Sequence, residues 1–302
     1  MIQSLDELRT RVLEKPPCSL AVADPTGAPT LRAVATADEI GLARAILVGD
    51  GDRIRGCLDE LGLEAGRFEI VDRTSAEDIA RIAVRLVRSG AASVLMKGAL
   101  KTSTIMHAVL DRNAGLRSGR LLSDVFLFPF GRKRPRLIGL TDGGVTPTPD
   151  VDQKARILVN AVRTFHALGH ARPRVAVLSA VETPSELFPA SLEAVELVEM
   201  WRGDGFPDCV VDGPLAMDLA LSEEAAALKG VESEVAGRAD ILLFPNAEAA
   251  NITAKALEYT VPLDPAHVVV GGSAPILIPA RAERAEARLN AIALGCWMAS
   301  RV

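Results

Sequence analysis

The sequence predicts an α/β protein built on a mostly parallel sheet that is covered by helices on both faces. Three observations predict it. Short, continuously apolar runs alternate with segments of helical periodicity along nearly the whole chain. Those runs lack the in–out alternation of a half-exposed strand, so both of their faces are buried. Polar and charged residues follow directly after many of them, at the ends where an open parallel sheet forms its ligand crevice.

In order, residues 3–14 read as a short helix stopped by Pro16-Pro17, and Ser19–Ala23 as a buried strand. A helical stretch reaches about Ile40. Ala45–Asp50 is a strand ending in Gly-Asp, residues 51–61 are a helix, and Phe68–Asp72 is a strand. Ser75–Gly90 carries the clearest helical pattern. Ser75 and Asp78 form a capping pair, Ile79, Ile82, Ala83, Leu86 and Val87 share one face, and Gly90 closes it. Ala92–Met96 is a strand with Lys97-Gly98 at its carboxyl end, and helix 102–113 follows. Strands 123–130 and 136–140 flank the basic turn Gly131–Pro135, read as a solvated hairpin tip.

A loop from Thr141 to Asp150 marks a boundary. Beyond it come helix 151–168, strand Val175–Leu178, helix 191–201, strand 209–211 with a turn at Asp212-Gly213-Pro214, helix 217–228 and strand 240–244. Helix 248–258, strands Val268–Val270 and Pro275–Ile278, and helix 282–300 complete the chain. The last helix is expected to bury a face of Ala285, Leu289, Ile292, Ala293 and Cys296.

With 302 residues the chain is long enough for two domains or one large α/β unit. A hydrophobic fraction of 49% against 24% charged residues supports a sizeable core. The net charge of -5 excludes a nucleic-acid footprint. The four cysteines, Cys18, Cys57, Cys209 and Cys296, have neither disulfide-framework nor zinc spacing. No secretory leader and no apolar run of spanning length is evident, so a reduced, cytoplasmic protein without membrane contact is expected.

Asp50, Lys97, Asp142, Ser179 with Glu182, Asp212, Asn246 with Glu248 and Asn251, and Arg281 follow strands, and parallel strands would bring them to one rim. Each alone fits a turn or a helix cap; together they signal a cleft. No Gly-rich dinucleotide fingerprint, P-loop or serine elbow is present, and the histidines lack metal spacing.

These residues belong to a wider pattern. The chain has L-V-G-D-x-x-x-I at Leu47–Ile54, M-K-G at Met96–Gly98, G-L-R-S-G at Gly115–Gly119 and L-T-D at Leu140–Asp142. It continues with K-A-R-I-L-V-N-A-V at Lys154–Val162, P-R-V-A-V-L-S-A-V-E at Pro173–Glu182, and D-G-P-L-A-M-D from Asp212. E-A-A-N-I-T-A-K runs from Glu248 to Lys255, and G-S-A-P-I-L leads to Arg281. Along nearly its whole length the chain resembles the phosphate acetyltransferase and phosphate butyryltransferase family.

The resemblance implies transfer of a short acyl group between coenzyme A and inorganic phosphate, with coenzyme A as substrate and product and no required metal or cofactor. It implies two three-layer α/β/α domains similar to isocitrate and isopropylmalate dehydrogenases. These are residues 1–140 with 272–302, and residues 141–271, with the active site in the interdomain cleft of a homodimer subunit. Arg281 corresponds to the family's active-site arginine, for phosphate and oxyanion. Lys97, Thr102 and Lys255 line the anion site, Gly98 belongs to the substrate-binding set, and Asp142 and Asp212 position or exchange protons. His107 falls where acetyl-type members carry an arginine. Ser179, Glu182, Gly213, Asn251 and Glu283 complete the substrate-binding set. The family's Ser-Arg-x-Asp reads Ala280-Arg281-Ala282-Glu283 here. Loss of one oxyanion donor costs roughly 10²–10³ in rate. Two further readings stay open: a catalytically impaired binder of coenzyme A or acyl phosphate, and a metal- and NAD-dependent dehydrogenase relative using Asp212 and Asp218.

Overall fold

The computed structural model describes residues 1–131, 135–203 and 205–301. The tip of the basic turn, Arg132–Arg134, lies outside the described residues. The chain folds as two compact units. The terminal unit comprises Leu5–Arg120 and Asp264–Val302, the central unit Met1–Ser4 and Leu121–Leu263. The chain passes between the units at 4/5, 120/121 and 263/264.

In the terminal unit the strands are β1 (Cys18–Ala23), β2 (Ala43–Gly49), β3 (Glu69–Asp72) and β4 (Val94–Lys97). Two more come from the far end of the chain, numbered here in chain order as β10 (Ala266–Val270) and β11 (Ile276–Leu277). Their order is β3-β2-β1-β4-β11-β10. All pairs are parallel except β10 with β11. Helices α2 (Ala28–Glu39), α3 (Gly51–Glu60), α4 (Ala76–Arg88) and α11 (Ala285–Ala299) pack on this sheet, while α1 (Leu5–Leu13) packs on α11 and α5 (Thr102–Leu110) on α4. The Ser75 cap forms as the sequence indicates, its Oγ accepting from the Asp78 N–H at 3.1 Å.

Helix α11 departs from expectation. Every residue from Ala287 to Trp297 is buried, so it has no single inner face. It is enclosed by the sheet, α1 and α2. Gly295 lets it approach closely: a Cβ there would lie 3.0 Å from Val94.

In the central unit, β5 (Ser123–Phe130), β6 (Arg136–Thr141), β7 (Arg174–Leu178), β8 (Val210–Leu215) and β9 (Ile241–Leu243) take the order β5-β6-β9-β7-β8. Only β5 with β6 is antiparallel. The helices are α6 (Val151–Ala167), α7 (Pro189–Arg202), α8 (Met217–Leu221), α9 (Glu223–Leu228) and α10 (Ala247–Thr260). One sheet face, including Phe126, Ile138, Ala176 and Leu242, packs on Leu219, Ala226, Ala250 and Ala254 of α8–α10. On α6, Phe165 packs against the sheet at Gly139, where a Cβ would meet its ring at 2.6 Å.

Two local expectations are corrected. Asp212-Gly213-Pro214 is not a turn but the second half of β8, with a register shift against β7 between Ala176 and Leu178. β8 is last in the strand order, so Pro214 removes no needed ladder donor. The segment 217–228 is two helices, because extended Ser222 ends α8 and caps α9 by accepting from the Ala225 N–H at 3.1 Å.

The turn after β6 is built on one buried carboxylate. Asp142 Oδ1 accepts N–H groups of Asp124, Gly144 and Val145 at 3.0, 3.1 and 3.1 Å, and Oδ2 accepts that of Thr146 at 2.9 Å. Burial, with the like charge of Asp124, pushes its pKa up to about 6 despite these donors. A raised folded-state pKa means the native protein holds this proton while the unfolded chain releases it. The stabilisation is therefore complete below the ordinary value of 3.8 and is lost as pH rises through about 6. In Asp142→Asn, which cannot ionise, the amide N–H₂ must face a backbone N–H, so the variant starts less stable, but it is expected to gain on the parent as pH rises from 4 to 7. The gain should be at most about 3 kcal/mol, read by urea unfolding of both proteins across that range. A difference that is flat with pH would show that Asp142 is ionised throughout.

Candidate active site

Parallel β1, β4 and β11 deliver the ends of three segments to one rim of the terminal unit. β4 ends in Lys97, a buried ammonium whose Nζ donates to the Gly98 carbonyl at 3.0 Å. Burial lowers the Lys97 pKa, and the positive charges of Arg288 and Arg281 lower it further against the opposing pull of Glu283 and Asp24. Gly98 has a backbone reason to be glycine. Its N–H donates to Ala23 and that of Ala99 to Asp24, and a Cβ on Gly98 would lie 2.1 Å from the Asp24 carbonyl oxygen.

Arg281 occupies a turn between β11 and α11. The Glu283 N–H donates to the Ala280 carbonyl at 3.1 Å, which leaves Arg281 and Ala282 at the tip. The Arg281 side chain is exposed and has no hydrogen-bond partner among the described residues. A guanidinium in that state suits an anionic ligand, since it offers a planar fork of donors. Glu283 is turned inward at 4% exposure, its Oε2 accepting from the Ala280 N–H at 3.0 Å and facing His267 Nε2 at 3.3 Å. Burial raises its pKa, but His267, the Ala280 N–H and Arg288 together outweigh that and hold the carboxyl below its ordinary range.

Thr102 is the exposed first residue of α5. His107 lies further along that helix, in a groove of about 520 Å³ between α4 and α5 lined also by Glu77, Arg81 and Thr104. Lys97 and Arg281 do not line that groove.

In the central unit, the ends of β6, β7 and β9 likewise share a rim. Asn251 of α10 donates to the Gly143 carbonyl at 2.9 Å, which ties it to the Asp142 turn. Lys255, one helical turn on, pairs with Glu258. Ser179 follows β7 with its Oγ buried and unpartnered among the described residues. Glu182 pairs with Lys229 at 3.2 Å. Asp212 Oδ1 accepts the N–H of Gly213 at 2.9 Å, and a Cβ on Gly213 would meet the Val177 carbonyl at 2.7 Å. Among the described residues, no group of three or more His, Cys, Asp or Glu side chains is placed to hold a metal ion, and no helix is long and apolar enough to cross a membrane.

Two residues around Arg281 escaped the sequence reading: His267 and Arg288. The one available signal was an arginine within an otherwise apolar helix, which must find partners if it is buried.

The sequence and the architecture are similar to those of known proteins. A family model described as Phosphate acetyl/butaryl transferase matches residues 73–296. The chain is 41% identical over 299 residues to the phosphate butyryltransferase of Clostridium acetobutylicum, which covers 99% of both chains. A branched-chain phosphotransacylase of Enterococcus faecalis V583 superposes with a TM-score of 0.83 at 25% identity, over 93% of this chain and 99% of that one. A 4-hydroxythreonine-4-phosphate dehydrogenase of Klebsiella pneumoniae, 14% identical, shares the fold with a TM-score of 0.57 over 94% of this chain and 100% of that one. With the family model spanning most of the chain and a relative matched end to end, this protein belongs to the phosphate acetyl/butyryl transferase family.

Proposed function

We propose that this enzyme transfers a short acyl group, butyryl or acetyl, between coenzyme A and inorganic phosphate. The observation that carries the reading is an exposed Arg281, its side chain without a hydrogen-bond partner among the described residues, following β11 at the same end of the sheet where parallel β4 ends in Lys97. Two cations there suit a phosphate dianion and the oxyanion formed from the thioester. A phosphate oxygen attacks the thioester carbonyl, the carbon–oxygen bond forms, and collapse of the tetrahedral intermediate breaks the carbon–sulfur bond. The departing thiolate takes the proton released by phosphate. Asp212 and Asp142 are the proposed carboxylates for that proton or for positioning. The four backbone N–H groups on Asp142 favour positioning for it. Thr102, Ser179, Asn251, Lys255 and His107 are proposed as substrate contacts. Gly98 and Gly213 serve the backbone instead, and Glu283 serves through the turn that bears Arg281. Ala280 supplies no hydroxyl, which favours one further reading: a protein that binds coenzyme A but turns over slowly or not at all.

Free thiols at Cys18, Cys57, Cys209 and Cys296 suit a reducing cytoplasm. A homodimer is proposed through α10. Ile252 and Tyr259, at 69% and 68% exposure, share a helical stripe with Ala256.

The test of function is phosphate-dependent release of coenzyme A thiol from acetyl-, propionyl- and butyryl-CoA. Arg281→Ala is expected to lower kcat/KM by about 10²-fold or more. No turnover with any of the three, with coenzyme A still raising the melting temperature, would establish the binder instead. For assembly, light scattering of Ile252→Asp/Tyr259→Asp should give a monomer where the parent gives a dimer; a monomeric parent would end the dimer proposal.

A further inference from the structure

The turn that carries Arg281 is held from beneath by a buried ionic cluster. Arg288, on the first turn of α11 and 3% exposed, spends its guanidinium on backbone. Its Nη2 donates to the carbonyls of Ala280 and Arg281 at 2.7 and 3.3 Å, its Nε to that of Glu283 at 3.1 Å, and its Nη1 to Thr30 Oγ1 of α2 at 3.1 Å. Glu283 closes the same turn from the other side through the Ala280 N–H, and His267 of β10 backs its carboxylate. The carbonyls of Ala280, Arg281 and Glu283 are thus taken up by one cation, and the N–H of Ala280 by one anion. The two charges offset each other in a site where either alone would be costly.

We propose that Arg288 and Glu283, backed by His267, are positioning residues that aim the Arg281 side chain at the phosphate. This rests on the phosphate-binding role proposed for Arg281. Only a forked guanidinium spans carbonyls at 280, 281 and 283 together with Thr30. A lysine at 288 keeps the buried positive charge opposite Glu283 yet releases part of the turn. Arg288→Lys therefore separates aim from charge balance, and Glu283→Gln, which still accepts from the Ala280 N–H, tests the other side of the clamp.

The experiment measures KM for phosphate, KM for butyryl-CoA, kcat, and phosphate protection against thermal unfolding in Arg288→Lys, Glu283→Gln, Arg281→Lys and the two double variants carrying Arg281→Lys. Each clamp variant should raise KM for phosphate about tenfold, the worth of one charge-assisted hydrogen bond, and leave KM for butyryl-CoA unchanged. In the Arg281→Lys background the clamp changes should add little, since the group they aim has already lost its fork. Losses that add fully, or that strike both KM values alike, would overturn the proposal and leave Arg288 a stability residue. If Arg288→Lys does not fold, Glu283→Gln decides by the same criteria. Phosphate protection needs no turnover. A parent without turnover, whose phosphate protection is weakened in the clamp variants and in Arg281→Lys, would keep the clamp and discard the transferase activity. Unchanged phosphate affinity in Arg281→Lys would discard both.

Discussion

A helix buried on every side has no solvent to satisfy its polar residues, and α11 is such a helix. Arg288 and Asn290 therefore have to find partners within the protein, and both find backbone carbonyls: Asn290 that of Asp264, Arg288 those of the turn before its own helix. This requirement fixes where the chain can run between β11 and α11. It also fixes where Arg281 emerges. Packing of the core and placement of the candidate anion-binding arginine are in this sense one constraint, since the core helix cannot be seated without the turn being drawn onto it.

Asp142 and Glu283 show how surroundings divide one chemical group into two behaviours. Both are buried carboxyls that accept backbone N–H groups, and burial raises the pKa of each. Near Asp142 stands another carboxylate, Asp124, and the pKa remains raised. Near Glu283 stand Arg288 and His267, and it falls below the ordinary range. A carboxyl that can be neutral and one held ionised are suited to different tasks. The first can take part in proton balance while pinning a turn, and the second is a fixed charge in the scaffold.

The sheet and its helices were legible because alternation of apolar runs with helical periodicity is a local property. So was the cap at Ser75, declared by a serine and an aspartate three positions apart. Lys97 and Arg281 could be nominated because they follow strands. Features set by neighbours distant in sequence were not legible. Pro214 looked like a turn because the sequence does not say that β8 lies at an edge. The break at Ser222 was hidden by helix formers on both sides, although Ser-Glu-Glu is itself a start signal. In α11, alanines fill the positions that would betray a polar face. The inward course of Glu283 depends on His267, sixteen residues away and brought near only by the β10–β11 pairing.

The terminal unit is completed late in synthesis. β11 and β10 are the last strands of its sheet order beyond β4, and α11 fills its core, yet all three follow the whole of the central unit in sequence. As the chain leaves the ribosome, β1–β4 and α1–α5 emerge first without the helix that covers them. The central unit, by contrast, is fully extruded by Leu263. A nascent chain stalled anywhere between these points presents the apolar side of β4 and α2 to the cell, a surface for chaperones to shield until the final segment arrives.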